Sequence, residues 1–377
     1  MLGTRRTPTS LGYRMPAEWE EHTGTWVSWP KDPNTFPQGV LGAVERTFSR
    51  IVEALAEGEE VRVLVDDEAS EARVKSTLWS VQNMKRGNVV FLRLKTVDVW
   101  VRDYAPIYVS RSAGSAYGES GARGARREAV AVTKWVFNSW GEKYDDLKPD
   151  NEAGFRIAKS TGFTVFEPGI VLEGGSIDVN GEGTLMTTEQ CLLNPNRNPG
   201  LGRDALETIL KDTLGATKVI WLGSGIEGDD TDGHVDDIAR FVTPRVVAVA
   251  NEEDPSDPNH RPLEENLRRL GIAKDQDGAP FEVVPVPMPA PVSTSEGRLP
   301  ASHLNFYIGN SAVLVPTFGS PSDSRALSIL RGYFSQRETV GIDCRALVYG
   351  LGTLHCVTQQ IPAGANRHEG ADRHEGD

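Results

Sequence analysis

Four short segments gather acids, a histidine and a thiol where strand-like runs meet glycine-rich turns: "TVDVWVRDYAP" (96–106), "LEGGS" (172–176), "TDGHVDDIARF" (231–241) and "GTLHCVTQQ" (352–360). Taken singly, a carboxylate at a strand end is usually a solvated or turn-capping group, and a lone histidine a satisfied structural one. It is the combination that suggests chemistry.

On an extended strand alternate side chains share a face, so His234 and Asp236 project together onto one ligand. Asp237 then points away and is expected to pair with Arg240 on the outer face. The same alternation sets Asp98, Trp100 and Arg102 side by side and turns Asp103 to the other face. A carboxylate beside an indole suits a flat cation. Glu173 precedes two glycines, which either let a ligand or strand approach the backbone or simply make a tight turn. At the thiol, alternation puts His355 opposite Cys356. His355 is therefore read as a buried, hydrogen-bonded core group, and the distant His234 as the candidate partner of the cysteine.

A nucleophilic cysteine among carboxylates is a poor protease site, because acidic neighbours raise the pKa of the thiol. It makes sense around a cationic substrate. A guanidinium is planar and stays protonated, so two carboxylates can grip it bidentately while a thiolate attacks its central carbon. Its charge also stabilises that thiolate.

The chain has 377 residues, 38% hydrophobic and 25% charged, with 38 glycines, the balance of a globular protein with many turns. A formal net charge of −13 disfavours nucleic-acid partners and favours small cationic ligands. Cys191, Cys344 and Cys356 are odd in number and form no CxxC pair, so a reducing cytoplasm is expected rather than a disulfide framework or zinc knuckle. No apolar run is long enough for a signal peptide or a membrane span. The terminal "NRHEGADRHEGD" reads as a solvated tail, with metal binding through its histidines as the alternative.

These segments need a frame that brings them together. Strand, helix and strand patterns begin at "TGTWVSWP" (23–30), "VLGAVERTFSRIVEALAEG" (40–58) and "EVRVLVDD" (60–67), and recur in roughly five strand-rich units, each with about one helix. The stretch 111–127 is read as a flexible hairpin connection. An Asn-Gly turn at 180–181, and the pair "FYIGN" and "AVLVP", imply local antiparallel pairing. No GxGxxG or GxxxxGK[ST] loop is present. A radial array of small mixed sheets with the site at its centre is favoured over a doubly wound parallel sheet.

In order along the chain, "MPAEWEEHTGTWVSWP", "WVRDYAP", "LEGGSIDVNGEGTLMTTEQCLLNPNRNP", "TDGHVDDIARF", "ASHLNFYIGN" and "GTLHCVTQQIP" resemble the agmatine deiminase family, which includes the bacterial-type peptidyl-arginine deiminases. The resemblance runs from Met15 to Pro362. It implies a five-bladed α/β propeller (pentein) of ββαβ-type repeats without metal or cofactor, entered by substrate along the pseudo-fivefold axis and associating as a homodimer. On this resemblance Cys356 is the nucleophile, His234 the general acid and base, Asp98 and Asp236 the guanidinium-binding carboxylates, and Glu173 the acid that orients the histidine or the guanidinium. Trp100 and Arg102 are taken as further substrate-binding residues. Agmatine would give N-carbamoylputrescine and ammonia. Thr353 stands where many members have asparagine, and Asp178 where plant-like members have histidine. The first is expected to alter hydrogen bonding around the nucleophile, the second the site mouth. Residues 1–14 and 363–377 lie outside the resemblance and are expected to be poorly ordered, which leaves one domain over 15–362.

Within the same chemistry the substrate could be free or peptidyl arginine or another guanidino compound, or the amidino group could pass to an amine. Arg102 or an arginine within 122–127, aimed at a substrate carboxylate, would favour arginine. A different class is a metallohydrolase ligated by His234, Asp236, His303 and Cys356, although an HxD pair lacks the dense spacing of zinc patterns. A non-catalytic guanidine binder is the third, disfavoured because Cys356 and His234 are both present.

Overall fold

The computed structural model describes residues 6–111 and 129–364. Its strands fall into five small sheets plus a separate hairpin, Ser293–Thr294 with Gly297–Arg298. Each sheet follows one recipe: a first strand antiparallel to a second, which is parallel to a third. Ile107–Ser110, Val130–Thr133 and Thr164–Phe166 form one blade. Ile177–Val179, Thr184–Thr188 and Lys218–Leu222 form the next, then Ala239–Thr243, Val246–Asn251 and Glu282–Pro287, then Tyr307–Ile308, Ala312–Thr317 and Glu338–Asp343.

The remaining blade joins the two ends of the chain. Gln359–Pro362 pairs antiparallel with His22–Ser28, followed in parallel by Glu60–Val65 and Val89–Arg93. This is the five-bladed α/β propeller that the resemblance implies, and it fits the radial array of roughly five strand-rich units read from the sequence.

Parallel neighbours need a crossover, and helices supply it in every blade: Gln38–Ala56, Asp150–Ser160, Arg203–Leu214, His260–Ile272 and Asp323–Tyr333. Short turns make the antiparallel step in three of the blades. The expected Asn-Gly turn joins Ile177–Val179 to Thr184–Thr188, with Gly181 at φ 74°. Tyr307–Ile308 pairs antiparallel with Ala312–Thr317, again as the sequence implies.

Three sequence readings are corrected. A sixth crossover helix, Glu68–Trp79, escapes the periodicity because only Val74 and Leu78 on it are buried; its start is fixed instead by a capping box between Asp67 and Ser70. Residues 6–14 do not hang free: Tyr13 is buried, Arg14 pairs with Ser110, and the Met15 N–H donates to the Leu214 carbonyl at 2.8 Å. The segments that gather the acids, His234 and Cys356 are not extended strands at those residues, as set out below. The expected tail beyond Gly364, and the 111–127 connection apart from Arg111, lie outside the described residues. No helix among the described residues is long and apolar enough to cross a membrane.

Candidate active site

Each blade is entered through a short irregular segment just before its first strand: Val101–Tyr104 before Ile107, Glu173–Ser176 before Ile177, His234–Asp237 before Ala239, Ser302–Asn305 before Tyr307, and Thr353–Thr358 before Gln359. Residues nearly 260 positions apart in sequence thereby meet around one centre. The segments turn helically rather than alternate, since Val101–Tyr104 is a helical turn and Val235–Asp237 a 3-10 turn. That difference decides which carboxylates face the centre.

Gly175 marks the meeting point. A Cβ there would lie 2.6 Å from His234 Nδ1, 2.9 Å from Asp236 Oδ2 and 3.1 Å from Asp103 Oδ1, so only glycine lets the three approach. Asp103 Oδ1 also accepts from the Gly175 N–H at 3.0 Å, Asp103 Oδ2 from Trp140 Nε1 at 2.8 Å, and Asp103 stands 3.9 Å from His234 Nδ1. Asp236 Oδ2 is bonded to His355 Nδ1 at 2.7 Å and lies 3.8 Å from Cys356 Sγ. Asp236 Oδ1, Glu173 Oε2 and both His234 ring nitrogens are buried with no hydrogen-bond partner among the described residues. Unspent polar capacity of this kind, buried at one point, fits a polar ligand.

Cys356 faces this group with its own support. The side-chain amide of Asn305 donates to Cys356 Sγ at 3.2 Å, and Asn305 Oδ1 accepts from Thr353 Oγ1 at 2.8 Å and from the His355 N–H at 3.0 Å. Gly352 leaves room for the Trp100 indole, because a Cβ there would meet the indole ring at 2.6 Å and Cys356 Cβ at 3.1 Å. Cys356, Asp98, Trp100, Asp103 and Trp140 all line a cavity of about 440 Å³.

Several residues take positions that alternation does not predict. Asp103 joins the cluster, whereas Asp98 is held on the cavity wall by Thr35 Oγ1 at 2.5 Å and Trp100 Nε1 at 3.0 Å. Arg102 does not reach the cavity. It is buried against the His355 carbonyl at 3.2 Å, Gln360 Oε1 at 2.7 Å and Glu18 Oε2 at 3.4 Å, so it cannot select a substrate carboxylate. Asp237 and Arg240 are both buried, and Arg240 pairs with Glu18 at 2.9 Å and Asp178 at 3.4 Å instead of Asp237. Asp178 is therefore engaged with Arg240 and the Phe241 N–H and does not line the cavity. His355 is buried and hydrogen-bonded as expected, and its partners Asp236 and Glu18 make it a bridge to the cluster. His303 bonds to Asp323 at 2.9 Å, so the ligand set His234, Asp236, His303 and Cys356 is not assembled.

The electrostatics follow from burial. Burial pushes the Cys356 thiol well above its ordinary range, and the charges of Asp236, Asp237 and Asp103 add to it. Burial also lifts Asp98 to about 6 and raises Asp103. For His234 burial works the other way, yet the Asp103 carboxylate, with Cys191 and Asp236, holds the imidazole well above its usual range. Asp236 stays below the usual carboxylate range against burial because His355 bonds to it. Glu173 is fixed by Arg197, whose Nε donates to Oε1 at 2.6 Å, both side chains being buried.

Sequence comparison decides the family. The sequence model of the Porphyromonas-type peptidyl-arginine deiminases matches residues 14–362. The chain belongs to that family. Among relatives of this deiminase, an agmatine deiminase of Medicago truncatula is 36% identical over 389 residues, covering 96% of this chain and all of the relative. The solved agmatine deiminase of Enterococcus faecalis superimposes with a TM-score of 0.84 at 30% identity, covering 96% of this chain and 98% of its own. A C. jejuni agmatine deiminase with substrate bound gives 0.79 at 28% identity, covering 93% and 96%. The deiminase fold thus extends over nearly the whole chain.

Proposed function

We propose that the protein hydrolyses agmatine to N-carbamoylputrescine and ammonia, with Cys356 as nucleophile. The observation that carries this reading is the convergence of Asp103, Asp236 and His234 on Gly175 opposite the Cys356 sulfur. Two carboxylates, one with a free oxygen, suit a guanidinium held edge-on with its carbon toward the thiol. The acidic neighbours that disfavour a thiolate in the empty site become counterions once the cationic substrate is bound, which lowers the cost of ionising Cys356.

In this account the Cys356 thiolate attacks the guanidinium carbon, and the Asn305 amide steadies the sulfur. His234, held protonated by Asp103, gives its proton to the departing ammonia. A thiouronium remains on Cys356 between Asp103 and Asp236. The now neutral His234 takes a proton from water, whose oxygen adds to the same carbon; as the C–S bond breaks the remaining hydroxyl proton is lost to solvent, where ammonia takes it up as ammonium, and the ureido product leaves while the thiolate returns. Glu173 and Arg197 position His234 from behind. Asp98 holds the Trp100 indole along the wall, where it would lie against the aliphatic chain.

The cavity wall supports agmatine over arginine. Asp146, Asp230 and Glu296 line it, and among the described residues the only cation on the wall is Arg298, which is bound to both oxygens of Asp257 at 2.8 and 2.7 Å. A substrate carboxylate finds no free partner there, while an amine meets carboxylates. The alternative arginines at 122–127 lie outside the described residues. Cys191, Cys344 and Cys356 are free thiols, which supports a reducing, cytoplasmic setting. Ammonia release measured across agmatine, free arginine and an arginine-containing peptide tests the substrate. Agmatine is expected to give the highest kcat/KM, and preference for either arginine substrate would overturn that choice.

A further inference from the structure

Behind His234 lies a second thiol that the reaction does not use. Cys191 sits on the short helix Glu189–Leu192, whose cap residue Thr188 accepts from the Cys191 N–H at 3.2 Å and donates to the Gly233 carbonyl at 2.6 Å. That one hydroxyl ties the cysteine to the residue preceding the histidine. A ligand atom from each of Glu173, Cys191 and His234 lies within 4.8 Å of the other two, and all three residues are fully buried.

Two of the three also have donor capacity to spare. Glu173 Oε2 and both His234 nitrogens lack hydrogen-bond partners, Glu173 Oε1 being the oxygen bound to Arg197. A carboxylate oxygen, an imidazole nitrogen and a thiolate are the mixed donor set of a borderline divalent transition metal. Donor atoms around four-coordinate zinc stand about 3.5 Å apart, so small side-chain rotations would close the trio on an ion. Binding would release two protons to solvent, one from Cys191 and one from the His234 imidazolium, leaving a neutral imidazole and two anionic ligands to balance the ion's two charges. The neighbouring Arg197 is countered by Asp232 at 2.7 Å as well as by Glu173.

We propose that Glu173, Cys191 and His234 form a binding site for zinc or a similar divalent transition metal, and that an ion bound there inhibits the enzyme by occupying His234. The site is distinct from the nucleophile, and ion binding does not depend on which guanidino compound is turned over.

Cobalt(II) is the probe, added without oxygen to the full chain after chelator treatment and removal of the chelator. One equivalent is expected to give thiolate-to-cobalt charge-transfer absorption in the near ultraviolet and the visible bands of four-coordinate cobalt, both bleached by zinc. Cys356→Ala should keep the charge-transfer band, and Cys191→Ser should lose it. Glu173→Gln should keep the band and bind cobalt about tenfold more weakly or worse, which serves as the test if Cys191→Ser does not fold. Zinc should also slow ammonia release from agmatine, and Cys191→Ser should need about tenfold more zinc for the same inhibition. The proposal is overturned by a wild type without the band, by a band that survives Cys191→Ser, by one that disappears in Cys356→Ala, by unchanged cobalt affinity in Glu173→Gln, or by unchanged zinc potency in Cys191→Ser.

Discussion

The Thr353 hydroxyl donates to the side-chain carbonyl of Asn305 at 2.8 Å, and this fixes the Asn305 amide so that its N–H faces the Cys356 sulfur at 3.2 Å. The position where the nucleophile's loop departs from the family pattern thus orients the group that touches the nucleophile. Replacing Thr353 with valine leaves a buried carbonyl short of one donor, at a cost of about 1–3 kcal/mol. If that cost falls on the reacting sulfur, kcat drops by about ten- to a hundredfold with KM little changed. Thr353→Ser should restore most of it. Steady-state kinetics and the pH dependence of Cys356 alkylation check this, the alkylation pKa rising in the valine variant; wild-type values for both would remove Thr353 from the account.

Asp103 and Asp98 lie five residues apart, one inside the helical turn and one before it, and should behave differently. Asp103→Asn removes a charge from the guanidinium grip, worth about 2–5 kcal/mol for a buried pair, so kcat/KM for agmatine should fall by at least roughly thirtyfold. Asp98→Asn keeps an oxygen for Thr35 and Trp100 and should cost less than about tenfold. Parallel kinetics on the two variants would show the reverse order if Asp98 were the guanidinium carboxylate.

Gly175→Ala is a steric test of the meeting point. The added methyl would lie too close to His234, Asp236 and Asp103 for all three to stay in place. Displacements of about 1 Å can cost about a hundredfold in rate, and kcat should fall by that order in protein that still folds, as judged by circular dichroism. An active Gly175→Ala enzyme would mean the three groups do not act at this point.

Outside the site, burial pushes Lys134 down to about 7 from an ordinary 10.5. The unfolded chain therefore holds more protons than the folded one between these values, so this group's contribution to stability falls as pH drops from about 10.5 to about 7 and levels off below that, where both states carry the proton. The slope from this one group is at most about 1.4 kcal/mol per pH unit. Thermal denaturation between about pH 7 and pH 9 should show a flatter pH dependence in Lys134→Met than in the wild type, and equal slopes would contradict the shift.

The blade architecture is legible in the sequence because each repeat carries its own signals: amphipathic helices, an Asn-Gly turn, alternating apolar runs. The site is only partly legible. Cys356, His234, Asp236 and Glu173 stand out by type, but faces read by strand alternation go wrong wherever the segment turns helically, which is why alternation turns Asp103 away from Asp98 and Arg102 although it is Asp103 that lies beside His234 and Asp236. Asn305 and Glu18 escape notice because their partners are remote: Cys356 for one, and His355, Arg102 and Arg240 for the other. One cue would have found Asn305, namely that "SHLN" precedes its blade's first strand as the other four site segments precede theirs.

The central claim is covalent attack by Cys356 on a guanidinium. It is tested most directly by mixing the protein with agmatine, quenching in acid during turnover, and measuring the intact and peptide masses. The account predicts an adduct of agmatine less ammonia on the peptide containing Cys356, absent in Cys356→Ala. Steady turnover with no adduct, an adduct on Cys191, or ammonia release by Cys356→Ala would contradict it.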